Sequence, residues 1–305
     1  MFSILVPTWN NLEYLKLCVE SIQRTSVMPC EILVHVNDGS DGTLEWVRAQ
    51  GLRHTHSPAN QGICLAINRL AALATQDWLV YLNDDMVCCP GWDRALAAAI
   101  SGRHGAAAYL SATVIEPTQT VNPLTIVHDF GRSAQEFDAD ALLAQHADPQ
   151  REDIAGAASP VSVVPRQWWH AVGGYSLEFS PGMGSEDDLM MKFWVAGCRD
   201  FTVISASRVY HFACRSTARV RRNHGARTFI MKWGLSQGEF RRRYLRRCAS
   251  DGPAWASSAD SAPRASPVGR LKRALYGLAG DFPLGDVRAW EPEPGRLWTG
   301  PGSDR

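Results

Sequence analysis

Long apolar runs are missing from this 305-residue chain. The longest, residues 2–6 and 78–82, are far shorter than the roughly 20 residues a helix needs to cross a bilayer, so no transmembrane helix is expected. The N-terminus lacks a basic stretch ahead of an apolar one, and no secretory signal is expected. Paired cysteines are also missing. The eight cysteines form no Cys-x-x-Cys motif. A zinc site is therefore not expected, and reduced, mostly buried thiols suit a cytoplasmic chain. Net charge is absent as well, with 31 basic and 31 acidic residues. What is present excludes wholesale disorder, because 45% of the residues are hydrophobic and can build a sizeable core.

The neutral total hides an asymmetry. Residues 1–214 hold 23 acids against 13 basic side chains, while residues 215–247 hold eleven basic side chains against Glu239 alone. An acidic body is thus followed by a basic segment that suits phosphates, anionic lipid or the protein's own acidic surface. Arg241-Arg242-Arg243 and Arg246-Arg247 read as a solvated helix face or as a patch for anionic lipid. They match no nucleic-acid recognition motif, and no nucleic-acid partner is expected.

Strand and helix patterns alternate through the first 115 residues. Residues 2–7, 32–36, 78–82 and 106–115 read as buried strands. Leu12, Leu15, Val19 and Ile22 mark one helical face, and Ile63, Ile67, Leu70 and Ala74 another. The alternation predicts an α/β fold with a mainly parallel, Rossmann-like sheet flanked by helices. Residues 116–160 read as a long connection with one helix near 139–145. Strands follow at 161–164, 201–205 and 208–212, with a helix over 186–196 between the first two. Ala, Ser, Pro and Gly dominate 249–267, a linker composition; beyond it Val268, Leu271, Leu275 and Leu278 share one helical face, and the remainder reads as a loose tail. The organisation expected is an alternating α/β half at 1–115, a second half at 116–247, and a linker, short amphipathic helix and tail at 248–305.

Open α/β sheets collect ligands at the carboxyl ends of their strands. Asn83-Asp84-Asp85 follows a strand at such a place. Carboxylates there suit a hard cation shared with a diphosphate, although Asn and Asp also make ordinary turns. Glu186-Asp187-Asp188 enters a helix. Acids cap helix starts, yet three exceed what a cap needs, and one could take a proton from an acceptor hydroxyl. His211, after a short strand, is either a satisfied structural histidine or a ligand for Mn²⁺.

In order along residues 2–235, several motifs resemble those of family 2 glycosyltransferases of GT-A fold. Pro7-Thr8-Trp9-Asn10 resembles the first nucleotide loop. Asn37-Asp38-Gly39-Ser40-Asp41-Gly42-Thr43 resembles the acidic nucleobase loop, with Asp38 at the contact position. Asn60-Gln61-Gly62 and Asn68 resemble the next helix start. Asn83-Asp84-Asp85, followed by Pro90-Gly91-Trp92, resembles the metal motif. Gly173-Gly174-Tyr175 resembles the acceptor-side motif, and Glu186-Asp187 the pair that holds the base.

The resemblance implies donor contacts at Pro7, Thr8, Asn10, Asp38, Asn60, Gly62, Asn68 and Asp84. It implies Mg²⁺ or Mn²⁺ on Asp85 and His211, and acceptor contacts at Gly173, Gly174 and Tyr175. Asp187 is the expected base, with Glu186 its close rival. Asn83 departs from the motif, its amide oxygen being a weaker, neutral ligand. The activity implied is inverting transfer from a UDP-, GDP- or dTDP-sugar to a saccharide or lipid-linked saccharide. Cell-surface polysaccharide or glycoconjugate synthesis is its expected setting, in the cytoplasm or peripherally on the inner membrane face. A nucleotidyltransferase acting on sugar phosphates is the alternative, although residues 7–12 lack its glycine-rich basic loop. A non-catalytic nucleotide-sugar-binding relative is the other.

Overall fold

A computed structural model describes residues 1–103, 105–119, 122, 124–158, 160–213, 224–245 and 264–278. Its strands are β1 (Phe2–Trp9), β2 (Cys30–Asn37), β3 (Arg53–Ser57), β4 (Trp78–Tyr81), β5 (Met86–Cys88), β6 (Ala108–Glu116), β7 (Ile126–Val127), β8 (Ile154–Ala155), β9 (Ser162–Pro165) and β10 (Asp200–His211). All join one sheet in the order β3-β2-β1-β4-β9-β6-β10-β5, with β7 on β6 and β8 on β10.

Alternation of side chains dictates the layering. Ile4 and Val6 of β1, Val34 and Val36 of β2 and Val80 of β4 face one way, against Leu15, Val19 and Ile22 of helix Leu12–Thr25. Leu5, Leu33, Leu79 and Tyr81 face the other way, against Ile67 and Leu70 of helix Gly62–Leu73. Both faces are covered, which is why these strands are apolar throughout rather than at every second residue.

The sheet is mixed. The strands β3, β2, β1 and β4 are parallel, whereas β9 runs antiparallel to β4 and to β6, and β5 antiparallel to β10. The reversal at β9 sets Ser162 beside Tyr81, so the chain enters β9 from the carboxyl end of β4. The two strand patterns near 201 and 208 are one strand, β10, with a bulge between Ile204 and Arg208. The buried Arg208 guanidinium donates to the carbonyls of His146, Asp148 and Pro149. It thereby ties down the long connection, which contains helix Ala139–Gln145.

His35 is a polar member of the core. It is fully buried, with Nδ1 2.6 Å from Thr55 Oγ1 and Nε2 3.3 Å from Ser57 Oγ. Burial, aided by the Arg69 charge, pushes its pKa down to about 4. Five of the six described cysteines are buried, Cys30 is exposed, and none is paired.

Beyond β10 come helix Gly225–Trp233, a turn of helix at Gln237–Phe240 closed by a capping box from Ser236, and a π turn at Arg241–Leu245. Helix Pro267–Leu278 rests on the first of these. The tail from 279, most of the linker, and Arg215, Arg219, Arg221, Arg222, Arg246 and Arg247 lie outside the described residues. Among the described residues no helix is long and apolar enough to cross a membrane.

Candidate active site

The carboxyl ends of β1, β2 and β4 open onto a cavity of about 330 Å³. Pro7, Thr8 and Trp9 come from β1, Asn37 from β2, and Tyr81 with Asn83, Asp84 and Asp85 from β4 and its loop. The opposite wall is residues 181–184 and Glu186, at the start of helix Ser185–Val195. The walls meet at Gly62. At φ 75°, a Cβ there would lie 2.6 Å from Pro181 Cα, and the next amide, Ile63 N, donates to Pro181 O at 2.8 Å. Only glycine permits that approach.

Several expected donor residues are on the wall: Pro7, Thr8, Gly62, Asn60 and Asp84. Thr8 is 3% exposed, and its hydroxyl is buried with no hydrogen-bond partner among the described residues. A buried polar group of this kind is costly unless something bonds to it. Asn60 Oδ1 holds the Gly62 amide at 2.9 Å, and Asn37 Oδ1 accepts from the Gln61 amide at 2.9 Å. Asn10 and Asp38 adjoin the lining residues Trp9 and Asn37 and pair with each other, Asn10 Nδ2 donating to Asp38 Oδ2 at 3.0 Å. Both adopt the left-handed conformation, φ 46° and 63°, which Asn and Asp tolerate better than most residues.

Other expected residues are not on the wall. Asn68 bridges Tyr175 in both directions, donating to its carbonyl at 2.8 Å and accepting from its amide at 2.9 Å. Gly174 leaves room for this, since a Cβ would lie 2.5 Å from Asn68 Oδ1. Tyr175 is buried beneath the cavity, edge-on to Tyr81. Asn68, Gly174 and Tyr175 thus form a strut behind the wall rather than part of it, and Gly173 next to them is exposed and not a lining residue.

The three acids at 186–188 divide. Successive helical residues point 100° apart, so one short run cannot aim all its carboxylates at one cavity. Glu186 lines the cavity. Asp187 is 2% exposed and does not; both its oxygens are gripped by Arg241, and Gln237 Nε2 donates to it at 2.7 Å. Asp188 is fully buried and accepts from Ser176 Oγ at 2.6 Å, Trp233 Nε1 at 2.8 Å and Lys232 Nζ at 2.9 Å. Asp187, expected as the base, is placed as an anchor for the basic segment.

Asp85 of the opposite wall and Glu116, which is not a lining residue, flank His211, itself set behind the wall. His211 Nε2 lies 3.3 Å from Asp85 Oδ1 and Nδ1 lies 2.7 Å from Glu116 Oε1. Burial alone would lower the imidazole pKa, but Asp85 and then Glu116 outweigh it and hold it at about 9. Glu116 ends β6, and its second oxygen is buried with no hydrogen-bond partner among the described residues. It was not anticipated, because the strand before it reads as core. The one available signal is an acid at the carboxyl end of an apolar strand, the same signal that marks Asp85. A carboxylate behind a histidine fixes the tautomer that presents the other nitrogen to a cation. Once a cation displaces the Nε2 proton, Asp85 and His211 Nε2 would fit as two side-chain ligands, few enough for a cation that also binds diphosphate oxygens. Among the described residues no group of three or more His, Cys, Asp or Glu forms a ready-made metal cage. Asn83 is committed elsewhere, its Oδ1 accepting from Tyr81 OH at 2.7 Å.

Convergence of the acids shows in the group between them. Burial raises the Tyr81 phenol well above its usual pKa, and Glu186, Asp84 and Asp85 add to the shift. Cys64 is likewise pushed up to about 12, chiefly by burial, which keeps it a neutral thiol at physiological pH rather than a nucleophile.

Residues 3–151 match the family described as Glycosyl transferase family 2. Curated relatives include the PGL/p-HBAD biosynthesis glycosyltransferases of Mycobacterium bovis (strain BCG / Pasteur 1173P2) and Mycobacterium tuberculosis (strain ATCC 25177 / H37Ra). Each is 33% identical over 109 residues, 34% of this chain. The chain spans 43% of those relatives' length. In fold it resembles Staphylococcus aureus TarS residues 1–349, at TM-score 0.57 and 14% identity over 94% of this chain and 82% of that one. It also resembles the mannosyltransferase PcManGT of Pyrobaculum calidifontis, in complex with GDP-Man and Mn²⁺, at TM-score 0.51 and 15% identity over 95% and 78%. Glu186 and His211 lie beyond the matched residues, so their parts rest on geometry. Residues 3–151 thus match glycosyl transferase family 2 in sequence, and the chain as a whole shares the GT-A-like arrangement of a mixed sheet flanked by helices.

Proposed function

We propose that the chain transfers a sugar from a nucleotide diphosphate sugar to an acceptor hydroxyl, with inversion at the anomeric carbon. One observation carries the reading: Asp84 and Asp85 from one wall and Glu186 from the other line a single cavity. Trp9, Asn37 and the partnerless Thr8 hydroxyl hold the nucleoside, with the Asn10–Asp38 pair closing its loop. Asp84 orients the donor sugar. A divalent cation, Mg²⁺ or Mn²⁺, supplies charge neutralisation at the leaving diphosphate when bound, and Asp85 and His211 are the side chains that would hold it.

Glu186, not Asp187, takes the acceptor's proton, because Glu186 reaches the cavity and Asp187 is held by Arg241. The acceptor oxygen attacks the anomeric carbon from the face opposite the diphosphate. The C1–O bond to phosphate breaks with its electron pair on the diphosphate, and one displacement inverts configuration. Orientation and a positioned base supply the acceleration. The titled ligands of solved relatives, UDP-GlcNAc for TarS and GDP-Man with Mn²⁺ for PcManGT, belong to the same chemical classes as the donor and cation proposed here. The acceptor is a saccharide or lipid-linked saccharide of polysaccharide or glycoconjugate synthesis, on the cytoplasmic side.

A thermal-shift panel of UDP-, GDP- and dTDP-sugars, with and without Mn²⁺, tests the reading. Stabilisation by one nucleotide class, larger with the cation, is expected. No shift with any of them would end it.

A further inference from the structure

Helix Pro267–Leu278 meets the protein along one side. The backbone of Gly269 rests on the end of helix Gly225–Trp233, where a Cβ would lie 1.8 Å from the Gly234 carbonyl oxygen. The Arg227 guanidinium stacks 4.5 Å from the Tyr276 ring. At 100° per residue, Gly269 and Tyr276 share a face, and Leu271, Leu275 and Leu278 lie roughly opposite, with Val268 at their margin. These four are 58%, 62%, 55% and 86% exposed in chain order. Among the described residues the other exposed large aliphatics are Val27 and Leu143, which border one hollow, and Val127, Leu177 and Val195; none of these forms a four-residue stripe along one helix, and a contiguous stripe is what calls for a partner.

The charge beside the stripe has one sign. Residues 264–278 contain Arg264, Arg270, Lys272 and Arg273 and no acid. The Arg264 amide donates to Tyr244 OH at 3.3 Å, which brings the exposed Arg242 and Arg243 close to the start of the helix. A second copy of the chain fits poorly, because a two-fold contact sets this cationic surface against itself.

We propose that this face docks on an anionic membrane surface. The helix lies in the plane of the interface, with Val268, Leu271, Leu275 and Leu278 in the acyl boundary and Arg270 and Lys272, which flank the stripe, at the headgroups. The surface is independent of the catalytic reading, and its test uses no donor or acceptor.

Sedimentation of the full chain with phosphatidylcholine vesicles, with and without phosphatidylglycerol, reads it directly. The chain is expected to pellet with the anionic vesicles and to stay in solution with the neutral ones. The pair L271D/L275D is expected to weaken partitioning at least about tenfold, with an unchanged melting curve because both side chains face solvent. R270E/K272E keeps the stripe and removes the charge match; it should lower binding to a similar extent, as should high salt. Three results would overturn the proposal: wild-type chain left in the supernatant with anionic vesicles, L271D/L275D pelleting like its parent, or a lipid-free dimer that those two substitutions dissolve.

Discussion

The cavity has two acidic walls built on different principles. After β4, Asp84 and Asp85 sit on a loop at the end of a parallel strand and reach the cavity because the backbone delivers them there. On the other wall, Glu186, Asp187 and Asp188 occupy one helical turn, and Arg241, Lys232 and Lys192 take up the second and third. The contrast separates availability from abundance. A carboxylate turned behind the wall onto Arg241 or Lys232 holds the fold together, and one that lines the cavity can meet a substrate. Each comparison below turns one side of that contrast into a measurement.

The largest effect is expected at Glu186. Glu186→Gln removes the base and keeps the shape, so turnover should fall roughly 10²–10⁴-fold. Donor nucleotide should still stabilise the variant in a thermal-shift assay. Near-normal release of nucleotide in the presence of acceptor would return the base to another residue.

The polar interiors of the two sheet halves differ as well. His211 is held between two carboxylates, but His35 is buried among hydroxyls near Arg69 with its pKa at about 4. The unfolded chain takes up this proton near 6.5 and the folded one resists until about 4, so protonation favours unfolding. Stability from His35 is therefore complete above pH 6.5 and declines as pH falls from 6.5 to 4, by about 3 kcal/mol at most. Urea midpoints across that range should show the decline, and His35→Gln should flatten it. An equal slope in the variant would place the acid sensitivity elsewhere.

Glu116 sharpens the first wall. If it fixes the tautomer that points His211 Nε2 at Asp85, then Glu116→Gln should weaken Mn²⁺ binding about 10–100-fold. Titration with Mn²⁺ in the presence of nucleotide diphosphate checks this. Unchanged affinity would leave Asp85 without His211 as its partner.

Much of this was legible in advance, and the rest had physical reasons for hiding. β1, β2 and β4 announce themselves because burial on both faces demands unbroken apolar residues. β3 does not, since Arg-His-Thr-His-Ser is an edge strand that needs little apolar surface. β10 looked like two strands because its bulge falls at Ser205–Ser207. The acids at 84, 85 and 186 were identifiable from composition and position. The rotation that aims Glu186 rather than Asp187 at the cavity was not, because 100° of helical phase is fixed only when the helix packs. Arg241 was legible as charge, but its partner lies 54 residues earlier, and spacing alone cannot pair them.

Asp187 offers the closest test of the second wall. Its carboxylate is buried, yet Arg241 is 34% exposed at its side chain, so the pair is neither a surface bridge nor a sealed one. Asp187→Asn keeps one acceptor oxygen and turns the other into an NH2 group that faces the donors of Arg241 or Gln237, so the charge and one acceptor are lost. A cost of about 1–2 kcal/mol in stability follows, between the exposed and buried limits. Turnover by the folded variant should stay within roughly tenfold of wild type, because an anchor acts through position and a base through its proton. Chemical denaturation and initial rates on the same preparation separate the two. Intact stability with abolished turnover would exchange the parts of Glu186 and Asp187, and would mean that Arg241 releases its carboxylate when acceptor enters.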